Sequence, residues 1–315
     1  MAKSLLNSRF LPLVVLAVII AIVPLVAPSG FYLRVAALVW TFSLAAMGLT
    51  ILMGYAGQVS LGHAGFLGIG AYSVALGPEY LGLHPLAALV LGAVLAGLIA
   101  WIVGKPILKL KGYYLAIATL GFGMIVSLVI TGESDFTGGP DGMKVARATL
   151  FGLKLSGAST WYWVTAGVML VGAAIALNIG ASPTGRALRA LHDSEVAASA
   201  TGIDVASKKL NAFVLAAIYG AVAGGLIGLM NGLVTPDVAG FMNSIELVAM
   251  VIIGGLGSVF GAVVGAAFLV VLPQALTALH DYEQMVLGLL IMVFMIFLPA
   301  GIVPALRKVW TERAA

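Results

Sequence analysis

Charge is nearly missing from this chain, and a chain without charge has few ways to face water. Sixteen lysines and arginines and twelve aspartates and glutamates are spread over 315 residues, 9% of the total, against roughly 25% in soluble domains. A water-facing surface on a chain this long needs many more. The hydrophobic share is 62%. Forty glycines, with no Gly-X-Y period, exclude collagen, and the low charge excludes a solvated disordered chain. What remains is an all-α polytopic membrane protein whose helices approach one another closely.

A helix needs about 20 apolar residues to cross the hydrocarbon core. On that measure the hydropathy pattern predicts about ten transmembrane helices, at 10–27, 35–53, 61–76, 85–103, 113–131, 161–179, 212–233, 245–256, 259–276 and 285–303. Pro28 directly follows Ala27, the one plausible small-residue cleavage position, so the first segment reads as a retained anchor. Segments 61–76 and 245–256 are short; either can be broken or re-entrant, which lowers the count to eight.

Charge placement orients this arrangement. With both termini in the cytoplasm, the inner segments hold Lys3, Arg9, Lys105, Lys109, Lys111, Arg186, Arg189, Lys208, Lys209, Arg307, Lys308 and Arg313. The outer segments hold only Arg34, Lys144, Arg147 and Lys154, with Asp281 and Glu283 also outside. This is the positive-inside distribution, and it accounts for the net charge of +4 better than a nucleic-acid face does. Residues 1–315 therefore form one membrane domain, with an outward loop at 132–160 and a cytoplasmic loop at 181–211.

The chemistry of an energy source is absent. Gly104-Lys105-Pro106 lacks the upstream glycine and the hydroxyl of a phosphate-binding loop, and no G-x-S-x-G or H-E-x-x-H occurs. Zero cysteines and four scattered histidines leave no metal or thiolate site. Glu246 and His63 are the ionisable residues near span ends, and they read as locally satisfied groups or as part of a pathway. The chain is expected to be no enzyme and to bind no cofactor itself; ATP and magnesium would be handled by partner subunits.

The cytoplasmic loop is the most informative stretch. Ser182-Pro183 has the form of an N-cap and first helical residue. Asp193 or Ser194 can cap a second short helix, Gly202 stops it, and Asp204 can cap the next helix, with Lys208 and Lys209 snorkelling at the interface. A small-residue helix through Ala197 and Ala198, flanked by Arg186, Arg189, Asp193 and Glu195, suits a groove on another protein, with charges orienting it from the rim. An ordinary helical loop is the other reading.

Glu195-Val196-Ala197-Ala198-Ser199-Ala200-Thr201-Gly202 resembles the E-x-A-A-x-x-x-G loop of bacterial ABC-importer permeases. Its context from Ser182 to Ala190 resembles the branched-chain amino acid (LivM-like) branch of that family. So do Gly54–Phe66, Gly112–Gly123, Thr137–Gly142 and Ile252–Ser258, in family order. The resemblance implies a bacterial inner-membrane subunit, working beside a second, LivH-like permease and bathed in membrane lipid. Two ATPase subunits would dock on the cytoplasmic loop, and a periplasmic binding protein would deliver a branched-chain or similarly hydrophobic amino acid. Two departures stand out: Ala212–Ala216 replaces the I-x-L-P ending of other importer classes, and Met124 stands where related permeases often carry an acid. Rival readings are the same family importing urea, short amides or aromatic acids, and an ATP-independent transporter or channel.

Two glycine strings and the outer loop complete the candidates. Gly57, Gln58, Ser60, Gly62 and His63, with Thr119 and Glu246, are candidate pathway residues; helix packing by the glycines is the alternative. Gly257, Gly261 and Gly265 read as a packing ridge. In the outer loop, Asp135, Thr137, Gly138, Gly139 and Asp141 form a tight turn that either meets a docking binding protein or is merely solvated.

Overall fold

The computed structural model describes residues 11–150, 153–275, 283–297 and 300–305. Lys3, Arg9, Arg307, Lys308, Arg313 and Asp281, used above to orient the chain, lie outside them. The order is α1 (Leu11–Val26), α2 (Gly30–Leu49), α3 (His63–Leu81), α4 (Pro85–Ile107), α5 (Gly112–Gly132), α6 (Ser134–Thr137), β1 (Met143–Lys144), β2 (Thr149–Leu150), β3 (Leu153–Lys154) and α7 (Ala158–Ala181). Then come α8 (Pro183–Asp193), α9 (Glu195–Ala200), α10 (Val205–Asn231), β4 (Leu233–Val234), α11 (Phe241–Gly254), α12 (Val259–Ala275) and α13 (Glu283–Phe297). β1 pairs antiparallel with β4, and β2 with β3.

Among the described residues, five helical stretches are long and apolar enough to cross a bilayer: Gly30–Tyr55, Pro85–Ile107, Gly112–Gly132, Ala158–Ala181 and Val205–Asn231. Leu13–Val26, Phe241–Gly254 and Val259–Gln274 are apolar but shorter. The weak third segment forms a continuous helix, His63–Leu81, that begins two residues later and ends five later than its hydropathy suggests. The eighth segment, also weak, is the 14-residue α11.

Burial divides the long helices into two kinds. The apolar windows of α2 and α10 are 83% and 72% buried, while those of α4, α5 and α7 are about a third buried or less. Lipid tails are as apolar as leucine, so helices in a membrane associate through close packing rather than through exclusion of water. Small residues make that packing here. A Cβ on Gly70 would strike the carbonyl of Ala221, and one on Gly224 the carbonyl of Leu67. α3 and α10 therefore cross backbone against backbone, and a Cβ on Gly220 would lie 3.2 Å from His63 Nε2. Gly261 and Gly265 press on the α11 backbone at Gly254 and Met250, which bears out the ridge reading for those two. Gly257 (φ +80°) instead turns the chain between α11 and α12 against Gly54.

Candidate functional site

α2 does not run cleanly into its end. It widens into a π-helical turn over Thr50–Tyr55, after which Ala56–Gly62 forms no helix. Gly54 lies so close to the Gly257 backbone that any side chain would collide. Gly57, at φ +66°, reverses the chain against His192 at the end of α8, a geometry that costs glycine little.

From there the segment climbs into the bundle. Gly62 rests on the Thr119 carbonyl and on Gly123, and Thr119 is about 10 Å along α5 from its start at the 1.5 Å rise of a helix. Backbone polar groups at such a depth need partners. The Leu61 N–H donates to Thr119 Oγ1 at 3.1 Å, and that hydroxyl donates to the Ala116 carbonyl at 2.9 Å. Gln58 Nε2 donates to the Ala56 carbonyl at 3.0 Å. His63 is fully buried, with Nε2 3.0 Å from the Ala216 carbonyl of α10. Since that carbonyl only accepts, Nε2 carries the proton and Nδ1 is left as an acceptor. Gln58 Oε1, Ser60 Oγ and His63 Nδ1 are buried without a hydrogen-bond partner.

A second irregular stretch approaches from the other end of the bundle. After α10 ends at Gly232, in a left-handed cap, the chain passes through β4 and a 3₁₀ turn at Pro236–Ala239. Ala239 packs on Gly68 of α3, so this stretch also descends along α3. α11 then begins at Phe241, and its Ser244 Oγ accepts the Ala64 N–H at 3.0 Å. The N-termini of α3 and α11 thus meet inside the bundle, each reached by non-helical chain. Gln58, Ser60, Gly62, His63 and Thr119 lie together at the α3 side of this meeting; Glu246, half-buried in α11 and engaged by a neighbouring group, lies two residues beyond Ser244. Gly62, Gly65, Gly68 and Gly70 all make close packing contacts, so the small-residue reading also holds for them.

Thr119→Val removes the acceptor of Leu61 and keeps the shape. Leaving that buried N–H unpaired should cost about 1–3 kcal/mol, read as a lower thermal midpoint in detergent, while Thr119→Ser keeps the hydroxyl and should stay near the parent. Equal midpoints for the valine and serine variants would remove the clamp role.

The cytoplasmic loop folds as its caps suggest. Ser182 accepts from the Gly185 N–H at 3.2 Å, Ser194 from Ala197 at 3.2 Å, and Asp204 Oδ1 from Ser207 at 3.1 Å; Ser194, not Asp193, caps α9. The charged residues are engaged within the chain as well as exposed. Arg186 and Arg189 turn back on the C-terminus of α7, donating to the Ala181 carbonyl at 3.3 Å and the Gly180 carbonyl at 2.9 Å, where unpaired carbonyls and the helix dipole attract cations. Arg189 also lies over the Tyr55 ring at 5.6 Å.

Lys209 does not snorkel: it is buried, and its Nζ donates to Glu195 Oε1, while Lys111 stands 3.6 Å from Glu195 Oε2. Glu195 therefore ties α9 to α10 and to the α4–α5 connection. Burial raises its pKa, but the hydrogen bond and charge of Lys209, with the charge of Lys111, outweigh that and hold it below the ordinary carboxylate range. Ala198 is buried beneath α9. Asp193, Ala197 and Gly202 remain exposed, joined by Val196, a 77% exposed apolar residue that its place in the motif did not single out.

At the opposite end, Thr137 is buried and donates to the Glu133 carbonyl at 2.8 Å. Gly138 and Gly139 take φ of +76° and +57°. These three residues build the turn, and Asp135 and Asp141 are left exposed on it. Tyr80 stacks on Phe136 at 4.5 Å and donates to the Asp135 carbonyl at 3.1 Å, which pins the loop to α3.

The family described as "Branched-chain amino acid transport system / permease component" matches residues 31–295. The high-affinity branched-chain amino acid transport system permease protein LivM of Escherichia coli K12 is 32% identical over 87% of this chain and 70% of its own length. LivH of the same strain is 25% identical over 85% of this chain and 94% of its own. BraD of Pseudomonas aeruginosa is 26% identical over the same shares. No solved structure matches. The chain belongs to the branched-chain amino acid transport permease family and is a multi-pass membrane protein.

Proposed function

We propose that this chain is one of two permease subunits of an ATP-driven importer in a bacterial inner membrane, moving branched-chain or similarly hydrophobic amino acids by alternating access. A LivH-like permease is its partner in the membrane. Two ATPase subunits, which handle ATP and magnesium, dock on α8–α9, and a periplasmic binding protein docks on the outer turn bearing Asp135 and Asp141. The chain itself binds no cofactor and catalyses no reaction. About ten spans cross, with both termini in the cytoplasm, and α11 with its approach segment serves as one of them.

The observation that carries this reading is the contact of Gly57 with His192. It joins the end of α8, which precedes α9 by one residue, to the irregular segment that leads into α3. A displacement of the coupling loop is thereby handed to the meeting point of α3 and α11, where discontinuous helices of transporters commonly present polar groups to solute.

Gly202, at φ +84° with open space around it, tests the coupling. Gly202→Val forces a β-branched residue into the left-handed region, at about 1–2 kcal/mol, and should redirect the chain leaving α9 without disturbing a packed neighbour. Leucine uptake into vesicles carrying all subunits should fall about fivefold or more, with the variant inserted normally. Unchanged uptake would sink the coupling role, and uptake by this chain alone in liposomes would sink the ATP-driven reading.

A further inference from the structure

The α2–α7–α10 cavity lies at the end of the bundle away from α8–α9, its Arg34 about 32 Å from Tyr55 along the helix. It has a volume of about 380 Å³ and is lined by Arg34, Arg147, Ser156, Gly157, Trp161 and Asn231 among others. Three membrane helices begin or end around it: α2 at Gly30, α7 at Ala158 and α10 at Asn231. The cavity therefore opens at the boundary between hydrocarbon and water.

Its lining is built for an anion. Both ion pairs found among the described residues involve Glu195, at the far end, so neither guanidinium is neutralised there by a carboxylate of the described chain. Arg34 donates to Asn231 Oδ1 at 3.2 Å, which fixes its direction and leaves most of its five donors unused. Arg147 sits on a connection anchored on both sides, by the Val145 N–H on the Gly232 carbonyl at 3.0 Å and the Leu155 N–H on the Ala148 carbonyl at 2.9 Å. α7, 24 residues long, starts at Ala158 behind an N-cap glycine, Gly157, that offers no side-chain cap, so its first N–H groups add positive potential to the same space. Leu229, Met230 and Asn231 at the C-terminus of α10 also line the cavity and add negative potential, so the attraction for an anion rests on the two guanidiniums.

We propose that this cavity binds the phosphate of an anionic phospholipid headgroup, held between Arg34 and Arg147 over the start of α7. A headgroup phosphate is the oxyanion always present at this depth.

The test compares the parent 315-residue chain, purified from membranes with whatever subunits accompany it, with the R34Q/R147Q and R34K/R147K variants. Retention of phosphatidylglycerol relative to phosphatidylcholine is read by native mass spectrometry. Each guanidinium near an anionic headgroup is worth roughly a factor of five, so the glutamine pair should lose the preference by about twentyfold. The lysine pair, which keeps the charge, should retain much of it, and its normal elution would separate a lost site from lost folding. An unchanged preference in the glutamine pair would overturn the site. Displacement of the lipid by millimolar leucine or inorganic phosphate would overturn the lipid assignment in favour of a soluble carboxylate or phosphate. Because the readout is lipid retention and not transport, the result stands or falls independently of the importer reading.

Discussion

Gly224→Val is expected to leave almost no folded protein in the membrane. The α3–α10 crossing has no room at this position: a Cβ would overlap the Leu67 carbonyl, which is backbone and cannot swing aside. Gly70, facing the Ala221 carbonyl from the other helix, makes the same demand. Overpacking a well-filled core costs about 3 kcal/mol at the upper end of the usual range, and a backbone clash allows less relief than a side-chain one. That shifts a folding equilibrium by at least about a hundredfold. Separating the helices would also pull His63 from the Ala216 carbonyl, stranding a second buried nitrogen. The measurement is the yield of monodisperse protein after detergent extraction, with Gly167→Val as the control. Gly167 is an exposed glycine within α7 with nothing within 4 Å, and its variant should extract like the parent. A Gly224→Val protein that elutes and melts like the parent would mean that α3 and α10 do not cross in this way.

That crossing marks where sequence reasoning stopped. The long spans α2, α4, α5, α7 and α10 were legible because twenty or more apolar residues admit one reading. The caps at Ser182 and Asp204 were legible because capping is local chemistry. Gly220, Gly224 and Gly228 were passed over in favour of the similar string at Gly257, Gly261 and Gly265. Spacing shows that a helix can offer a small-residue face, and only the opposing carbonyl shows which face is used. α3 looked weak because glycine, serine and histidine dilute its hydropathy, and α11 because its apolar run is too short without extending into Asn243. Those same residues make the break at Ala56–Gly62 and the meeting of Ala64 with Ser244. Gln58, Ser60, Gly62, His63 and Thr119 do lie together in the fold, while their link to the coupling loop through Gly57 and His192 had no signal in the order of residues. Lys209 misled for a related reason. Snorkelling was expected of Lys208 and Lys209 alike, and nothing in a pair of adjacent lysines reveals that one of them is buried.

Lys209 leads to the second large effect. A Glu195→Ala variant leaves the Lys209 ammonium, 3% exposed, without its hydrogen-bonded carboxylate. Breaking a buried pair from one side costs about 3–5 kcal/mol. Glu195 is 28% exposed, which puts the expected loss near the lower figure. The double variant Glu195→Ala/Lys209→Met removes the stranded charge and supplies a flexible apolar chain of similar length, so most of the stability should return. Coupling should not return with it, since α9 has then lost its tie to α10 and Lys111 its partner. Thermal midpoints and uptake by the full assembly separate the two effects. If both variants were equally stable, the pair would have no energetic role; if the double variant also transported normally, the tie would be irrelevant to coupling. Acid provides the same test without mutation. Because the Glu195 pKa is lowered in the fold, its contribution is complete above the ordinary carboxylate range and drains away as pH falls through the lowered value. The parent should therefore lose stability more steeply in that acidic window than the double variant does, and the difference should vanish at neutral pH only to the extent that methionine packing replaces the ion pair.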